Sequence, residues 1–243
     1  MTVVKGRLYL VAGGAAAAGV RGPDPAVRLA IQGTGRDRPS VAYVGAASRD
    51  DPGVRRRSAA MLRKAGAGIV TTAPLAGGRI NASVAAAVIG SADLVFLSGG
   101  DVVAGMGVIE ERRVVQALRR AHRAGIPFLG VSAGSIMLSR AWVRWSDSDD
   151  DGRAEIFPCL GFARVFCDTH GEDDGWSELK AMLTLRPAGT AGYGIVSGSA
   201  LIVHPDGSLE AAGGEVHVFR RRKAGVVQVD SLVPGPRARD TAR

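Results

Sequence analysis

A serine lies in a sequence context suited to nucleophilic catalysis. Residues 130–134 read Gly-Val-Ser-Ala-Gly, so Ser132 occupies the serine position of the pattern G-x-S-x-G. An apolar run, residues 126–129, precedes this pattern, and helix-forming residues 136–138 follow it. Small neighbours let the chain turn sharply and present the serine hydroxyl above a sheet. We therefore predict that Ser132 is a nucleophile and that the N–H of Ala133 stabilises an oxyanion.

A second backbone approach follows another apolar run. Ser98-Gly99-Gly100-Asp101 comes directly after Leu94-Val95-Phe96-Leu97. Because glycine has no side chain, a substrate carbonyl can come close to main-chain N–H groups here, and Gly100 is the expected second oxyanion donor, with Gly99 beside it. Asp101 is equally suited to cap a following helix, and both roles are compatible.

A serine nucleophile needs a base, and the chain has four histidines. His170 is the expected base because it ends a predicted strand, follows Asp168 and precedes an acidic segment. His122 lies among arginines and is expected to face solvent. For the acid that orients the histidine we predict Asp147 first and Asp168 second. The expected substrate-binding residues lie on the same segments: Gly99, Asp101, Asp168, Thr169 and Glu172.

The elements that must position these residues alternate in the manner of βαβ units. Short apolar runs ending in Gly or Ser predict strands over 7–12, 40–46, 68–72, 93–98 and 126–131. Helices are predicted between them, over 52–65 and over 102–124 as one long helix. Ligands on such folds bind at the carboxyl ends of the strands, so the segments at 13–14, 47–48, 98–100 and 132 should converge.

The second half of the chain has a different pattern. Residues 146–152 read as an acidic loop, 157–168 as a strand and 176–185 as a helix. Residues 194–203, 208–212 and 216–220 are separated by turn residues and predict antiparallel strands. We expect one α/β domain over residues 1–233 and a flexible basic tail over 234–243.

Charge and cysteine content limit the function classes. The formal charge is +8, but seven basic and two acidic residues lie from Arg220 onward, whereas residues 145–179 hold ten acids and two arginines. An acidic patch in the body of the protein would repel phosphates, so we expect no nucleic-acid partner, and no membrane partner. Two cysteines form no metal or disulfide pattern, which favours a cytoplasmic protein without metal or cofactor.

Taken together, the motifs resemble one family. Gly-Gly-Asp at 99–101, the Gly-Val-Ser-Ala-Gly turn, Asp-Thr-His at 168–170, Gly-Tyr-Gly-Ile at 192–195 and Ala-Leu-Ile-Val at 200–203 are similar to those of the serine peptidases that include cyanophycinase and dipeptidase E. The resemblance spans about residues 8–219. It implies a class I glutamine amidotransferase-like fold: a mostly parallel sheet flanked by helices in three flavodoxin-like layers, with antiparallel hairpins near the C-terminus.

The resemblance also implies an activity: hydrolysis of small peptides through a Ser-His-Asp acyl-enzyme. In the cyanophycinase branch Gly-Ile-Asp-Glu supplies a glutamate that orients the histidine, whereas this chain has Gly194-Ile195-Val196-Ser197. In the dipeptidase E branch the acid follows the serine at the distance of Asp147. A small peptide is therefore the expected partner, and self-association as a homodimer is compatible with the sequence. An inactive small-molecule-binding module and an esterase are the alternatives.

Overall fold

The computed structural model describes residues 6–14, 19, 22–76, 80–145 and 154–235. Up to residue 138 strands alternate with helices, except that two helices follow the fourth strand. These elements are β1 (Leu8–Val11), α1 (Pro25–Gln32), β2 (Val41–Val44), α2 (Pro52–Lys64), β3 (Val70–Thr72), α3 (Ala82–Ser91), β4 (Leu94–Leu97), α4 (Val102–Glu111), α5 (Val115–Arg123), β5 (Phe128–Val131) and α6 (Ala133–Leu138).

Strands predominate in the second half. They are β6 (Ala141–Trp145), β7 (Ala154–Pro158), β8 (Cys167–Thr169), β9 (Ala191–Ile195), β10 (Ala200–Val203), β11 (Leu209–Ala212), β12 (Val216–Arg222) and β13 (Gly225–Gln228), with α7 (Ser177–Thr184) between β8 and β9.

The central sheet carries the candidate nucleophile, Ser132, at its carboxyl edge. In the described part of the chain its seven strands run in the order β11-β10-β1-β5-β4-β2-β3. Strands β1, β5, β4, β2 and β3 are parallel, β10 pairs antiparallel with β1, and β11 pairs antiparallel with β10. Every residue of β1, β2 and β4 is buried, as in a parallel sheet covered on both faces. The predicted fold class is confirmed.

A smaller sheet carries the candidate base. Its order is β13-β12-β9-β8, with β8 parallel to β9 and the other pairs antiparallel. Strand β8 packs on α6, where the Cys167 thiol lies 3.8 Å from the Ser135 carbonyl oxygen. Since α6 begins at the residue after Ser132, this packing brings the end of β8 toward the nucleophile. Strands β6 and β7 form a separate hairpin.

Aspartates and prolines set several helix starts. The carboxylate of Asp51 accepts from the Val54 N–H at 2.8 Å and Pro52 opens α2. Asp24 and Pro25 begin α1 in the same way. Such caps satisfy amide groups that have no partner inside the helix, and proline at the first position loses no hydrogen bond. The strand-to-helix alternation therefore has local causes that the sequence displays.

Three predicted elements are wrong. The long helix over 102–124 is two helices, α4 and α5, separated where Arg113 adopts a left-handed φ of 57°. The strand over 194–203 is two strands in different sheets, since the chain turns through Gly198 at φ 83°. The strand over 157–168 is also divided, because β7 ends at Pro158 and β8 starts at Cys167.

His122 is not a solvated residue. It is 6% exposed, stacks on Phe162 at 4.9 Å between ring centroids, and lies 3.1 Å through Nε2 from the Gly6 carbonyl oxygen. It therefore belongs to the core beneath the sheet.

In the ranges that the structure describes, no helix is long and apolar enough to cross a membrane.

Candidate active site

Ser132 occupies a strained turn between β5 and α6. Its φ of 54° and ψ of −124° are unusual for a residue with a side chain. The turn is held because the Ser132 N–H donates to the Val11 carbonyl at 2.9 Å, while the Ser135 hydroxyl lies 2.9 Å from both the Val11 and Gly130 carbonyl oxygens. Strain fixed by such contacts is typical of a nucleophile presented for reaction.

Both glycines of the pattern are required by close backbone packing. A Cβ on Gly130 would lie 2.5 Å from the Gly134 carbonyl oxygen, and one on Gly134 would lie 2.3 Å from that of Leu97. Neither distance is tolerated between nonbonded atoms, so the tight strand-to-helix turn needs glycine at both positions. The sequence motif and the geometry therefore have the same cause.

Unpaired backbone amides lie on the segments next to Ser132. Gly99 abuts Ser132, since a Cβ on Gly99 would lie 3.2 Å from Ser132 Cβ. Gly100, at φ 145°, passes so close to Ala47 that a Cβ would lie 2.1 Å from its carbonyl oxygen. Within the described residues the N–H groups of Gly99, Gly100 and Ala133 donate to no acceptor. Free amides beside a serine hydroxyl are the donors that an oxyanion hole needs.

The other strand ends converge here as predicted. The hydroxyls of Ser48 and Ser98 lie 3.2 Å apart, which joins the segments after β2 and β4. The carbonyl of Gly13 accepts from the Gly198 N–H at 2.6 Å, which joins the segments after β1 and β9. The carboxyl ends of both sheets therefore meet around Ser132.

His170 follows β8 on the same side. A Cβ on Gly13 would lie 3.9 Å from His170 Cε1 and 3.2 Å from Val131 Cγ1, so the ring and the residue before Ser132 flank one glycine. His170 has a left-handed φ of 60° and an exposed side chain. In the described structure Ser132 and His170 do not hydrogen-bond each other. Catalytic hydrogen bonds often form only once substrate is bound.

The surroundings of His170 favour its neutral form. Partial burial lowers the pKa of His170 from its ordinary value of 6.5, and the Glu172 carboxylate opposes this by raising it. A neutral imidazole at neutral pH can accept a proton. Its Nδ1 lies 3.4 Å from the Ser197 hydroxyl.

Glu172 accepts a hydrogen bond from the residue whose hydroxyl lies next to His170. Its carboxylate accepts the Ser197 N–H at 2.5 Å. Partial burial raises the pKa of Glu172, but hydrogen bonds from the Ser197 amide and hydroxyl and the proximity of His170 outweigh it, so the pKa lies below its ordinary 4.5. Glu172 was predicted to bind substrate, whereas its observed partners are Ser197 and, through charge, His170.

Asp168 and Thr169 are buried, with 4% and 9% of their surfaces exposed. The Asp168 carboxylate accepts the Thr169 N–H at 2.7 Å. Burial raises the pKa of Asp168 from 3.8 to about 7, although the Thr169 amide lowers it. Asp168, the second choice for the orienting acid, has no hydrogen bond with the His170 ring in the described structure, where that ring lies next to Ser197. Substrate binding by Asp168 and Thr169 stays a prediction.

The remaining predicted residues have simple placements. Asp147 lies outside the described residues, so its role stays a prediction. Asp101 caps α4, where its carboxylate accepts the Ala104 N–H at 2.6 Å. Among the described residues, no group of three or more His, Cys, Asp or Glu side chains could hold a metal ion.

The sequence reasoning missed Ser197 as a partner of the base. The available signal was a hydroxyl at the position where the cyanophycinase branch has its glutamate. The pairing of Ser197 with Glu172, separated by 25 positions, has no signature in the sequence.

Comparisons with known proteins identify a family and a fold. The profile of peptidase family S51 matches residues 10–210. The fold is similar to that of a peptidase from an acI-B1 actinobacterium, with a TM-score of 0.63, 16% identity, and 95% of this chain and 98% of that chain covered. It is also similar to a protein described as a peptidase E from Listeria monocytogenes EGD-e, with a TM-score of 0.54, 12% identity, and 93% and 98% covered. No curated protein matches the sequence.

The family profile spans most of the chain and includes the Gly99-Gly100 segment, Ser132 and His170. The structural neighbours independently share the fold. The chain therefore belongs to peptidase family S51, a family of serine peptidases.

Proposed function

We propose that this protein hydrolyses small peptides in the cytoplasm through an acyl-enzyme, with Ser132 as nucleophile and His170 as general base. The observation that carries the proposal is the strained Ser132 turn, with free backbone amides on the following residue, Ala133, and on the adjoining Gly99-Gly100 segment. The lowered pKa of His170 supports its role as base, because a neutral ring is available at neutral pH. Asp147, the sequence-based choice for the orienting acid, stays part of the proposal.

The reaction proceeds in two halves. Ser132 Oγ attacks the scissile carbonyl carbon while His170 Nε2 takes the hydroxyl proton, and the tetrahedral oxyanion accepts hydrogen bonds from N–H groups of Ala133 and of Gly99 or Gly100. The C–N bond then breaks and His170 gives its proton to the leaving amine. Water, deprotonated by His170, attacks the acyl-enzyme, and Ser132 regains its proton as the acid product leaves. Loss of one oxyanion donor typically costs about 3 kcal/mol of the barrier.

The test is covalent labelling with a fluorophosphonate, read by intact mass. Wild-type protein should gain one adduct and Ser132→Ala none, because only an activated hydroxyl reacts with this probe. Ser48→Ala is a matched control: its hydroxyl lies at a neighbouring strand end, 3.2 Å from that of Ser98, and has no place in the mechanism. This variant should be labelled like wild type.

Hydrolysis assays separate the alternatives. A peptidase should hydrolyse dipeptides as well as the more reactive esters of matched side chains, an esterase should hydrolyse the esters alone, and Ser132→Ala should abolish every reaction. Equal labelling of Ser132→Ala and wild type would refute the nucleophile. An unlabelled, inactive wild-type protein that still binds peptides would instead be a binding module.

A further inference from the structure

The Nδ1 side of His170 carries a pair of residues that the proposed mechanism does not yet use. We propose that Ser197 and Glu172 are positioning residues, which hold the His170 ring with its proton on Nδ1 and leave Nε2 free to accept the Ser132 proton. This inference rests on the proposed function, since it assigns how the base of that site is held, and it gives Ser197 and Glu172 the contact to the ring that the sequence assigned to Asp147. The Ser197 hydroxyl would accept a hydrogen bond from the Nδ1–H of His170 and would donate its own hydrogen bond to the Glu172 carboxylate.

The contacts form a continuous chain. His170 Nδ1 lies 3.4 Å from Ser197 Oγ, and the Ser197 N–H donates to Glu172 at 2.5 Å. The Ser197 hydroxyl is also close enough to the Glu172 carboxylate to help lower its pKa. A hydroxyl can accept one hydrogen bond and donate another, so it can stand between an imidazole N–H and a carboxylate.

Ser197 is fixed by the segment that also contacts the histidine. A Cβ on Gly14 would lie 3.4 Å from Ser197 Cβ and 3.6 Å from its Oγ. The next residue, Gly198, donates its N–H to Gly13 at 2.6 Å. Because Gly13 also flanks the His170 ring, one short segment holds the base and its partner in register.

Two other acids close in sequence to His170, Asp174 and Asp168, accept hydrogen bonds from other residues. Asp174 accepts from the Ser177 hydroxyl and from the Trp176 N–H at 2.8 Å, at the start of α7. Asp168 accepts from Thr169. Of the described charged groups, Glu172 is the one that raises the pKa of His170. A charge is therefore available to stabilise the imidazolium that forms when Ser132 loses its proton.

The test compares variants that remove the charge or the hydroxyl. Glu172→Gln keeps an oxygen that can accept the Ser197 N–H but removes the charge, and Ser197→Ala removes the bridging hydroxyl. The second-order rate of Ser132 labelling by a fluorophosphonate is measured from pH 5 to 9. Asp173→Asn is the matched control, because this neighbouring acid is exposed and has no hydrogen bond in the described structure.

Glu172→Gln should move the acid limb of the rate profile to lower pH, because the charge that raises the pKa of His170 is gone. Both Glu172→Gln and Ser197→Ala should reduce the plateau rate by about tenfold or more, and Asp173→Asn should change neither quantity. An unmoved acid limb in Glu172→Gln, or a wild-type rate in Ser197→Ala, overturns the proposal. If Ser197→Ala does not fold, the acid limb of Glu172→Gln decides.

A second measurement does not depend on activity. In Ser132→Ala protein, ¹⁵N NMR of the imidazole reports which nitrogen of His170 carries the proton. The Nδ1–H form should dominate when Ser197 and Glu172 are intact and should decrease in both variants. This separates failure of the positioning proposal, seen as an unchanged tautomer, from failure of the proposed function, seen as an unlabelled Ser132.

Discussion

The buried carboxyl of Asp168 should make the protein less stable as the pH rises through neutrality. Burial raises its pKa from 3.8 to about 7, and Glu178 and Asp174 add to the rise, while amides of Thr169 and Leu179 oppose it. Between pH 3.8 and about pH 7, Asp168 is protonated in the folded protein and ionised in the unfolded chain. Stability due to this group is therefore complete below about pH 4 and is lost as the pH rises to about 7.

The magnitude follows from the size of the pKa change. Each pH unit between the unfolded and folded pKa values changes the free energy of unfolding by about 1.4 kcal/mol, so the full effect is about 4 kcal/mol. The part that falls between pH 5 and pH 8 is about 2.5 kcal/mol. Asp168→Asn imitates the protonated acid, because its amide oxygen can still accept the Thr169 N–H at 2.7 Å.

Urea denaturation of wild type and Asp168→Asn at pH 5, 6, 7 and 8 measures this effect. The free energy of unfolding of the variant minus that of wild type should increase by about 2–3 kcal/mol from pH 5 to pH 8. The lowered pKa of His170 gives an opposite slope, but it is present in both proteins and cancels in the difference.

Asp93→Asn is the control for removal of an aspartate. Hydrogen bonds from the Ser40 amide and hydroxyl lower the pKa of Asp93, so it titrates below this pH range in both the folded and unfolded states. The free energy of unfolding of Asp93→Asn minus that of wild type should be constant between pH 5 and 8. A constant difference for Asp168→Asn would refute the reasoning and would leave Asp168 an ordinary ionised carboxylate.

Further predictions concern single residues. Gly99→Ala should lower kcat/KM by about tenfold or more, with an unchanged circular dichroism spectrum, because its Cβ would lie 3.2 Å from Ser132 Cβ. Arg113→Gly should raise the free energy of unfolding in urea by up to about 1 kcal/mol, since φ is 57° there; a decrease would contradict this. The thiols of Cys159 and Cys167 should react with a disulfide reagent at pH 8 far more slowly in the folded protein than in urea, because burial raises the pKa of Cys159 to about 12 and that of Cys167 still further.

Much of the central sheet could be predicted because its strands are buried on both faces. Such strands read as short apolar runs ended by Gly or Ser, and β1, β2, β4 and β5 follow these runs closely. The turn at Ser132 was predictable for a related reason: the close approach of Gly134 to Leu97 requires glycine, and that glycine is part of the sequence motif.

Where the sequence failed, tertiary packing decided. Arg113 has no side-chain preference for a left-handed φ, so the break between α4 and α5 had no local signal. The split between β9 and β10 did have one, in the turn residues Ser197-Gly198-Ser199. His122 was misassigned because nearby arginines hid a helical period in which Leu118, Ala121 and His122 share the buried face.

The surroundings of the base show why its partners are the hardest part of the site to predict. Strands β8 and β9 are parallel neighbours in which Thr169 pairs with Ile195, so both leave the small sheet at the same edge. Glu172 and Ser197 follow these strand ends within three residues, and the register alone brings them together. Motif spacing records neither the register nor the sheet to which a strand belongs. A carboxylate can therefore approach His170 from any loop at this edge, and it is the pairing of the strands that places Glu172 beside Ser197.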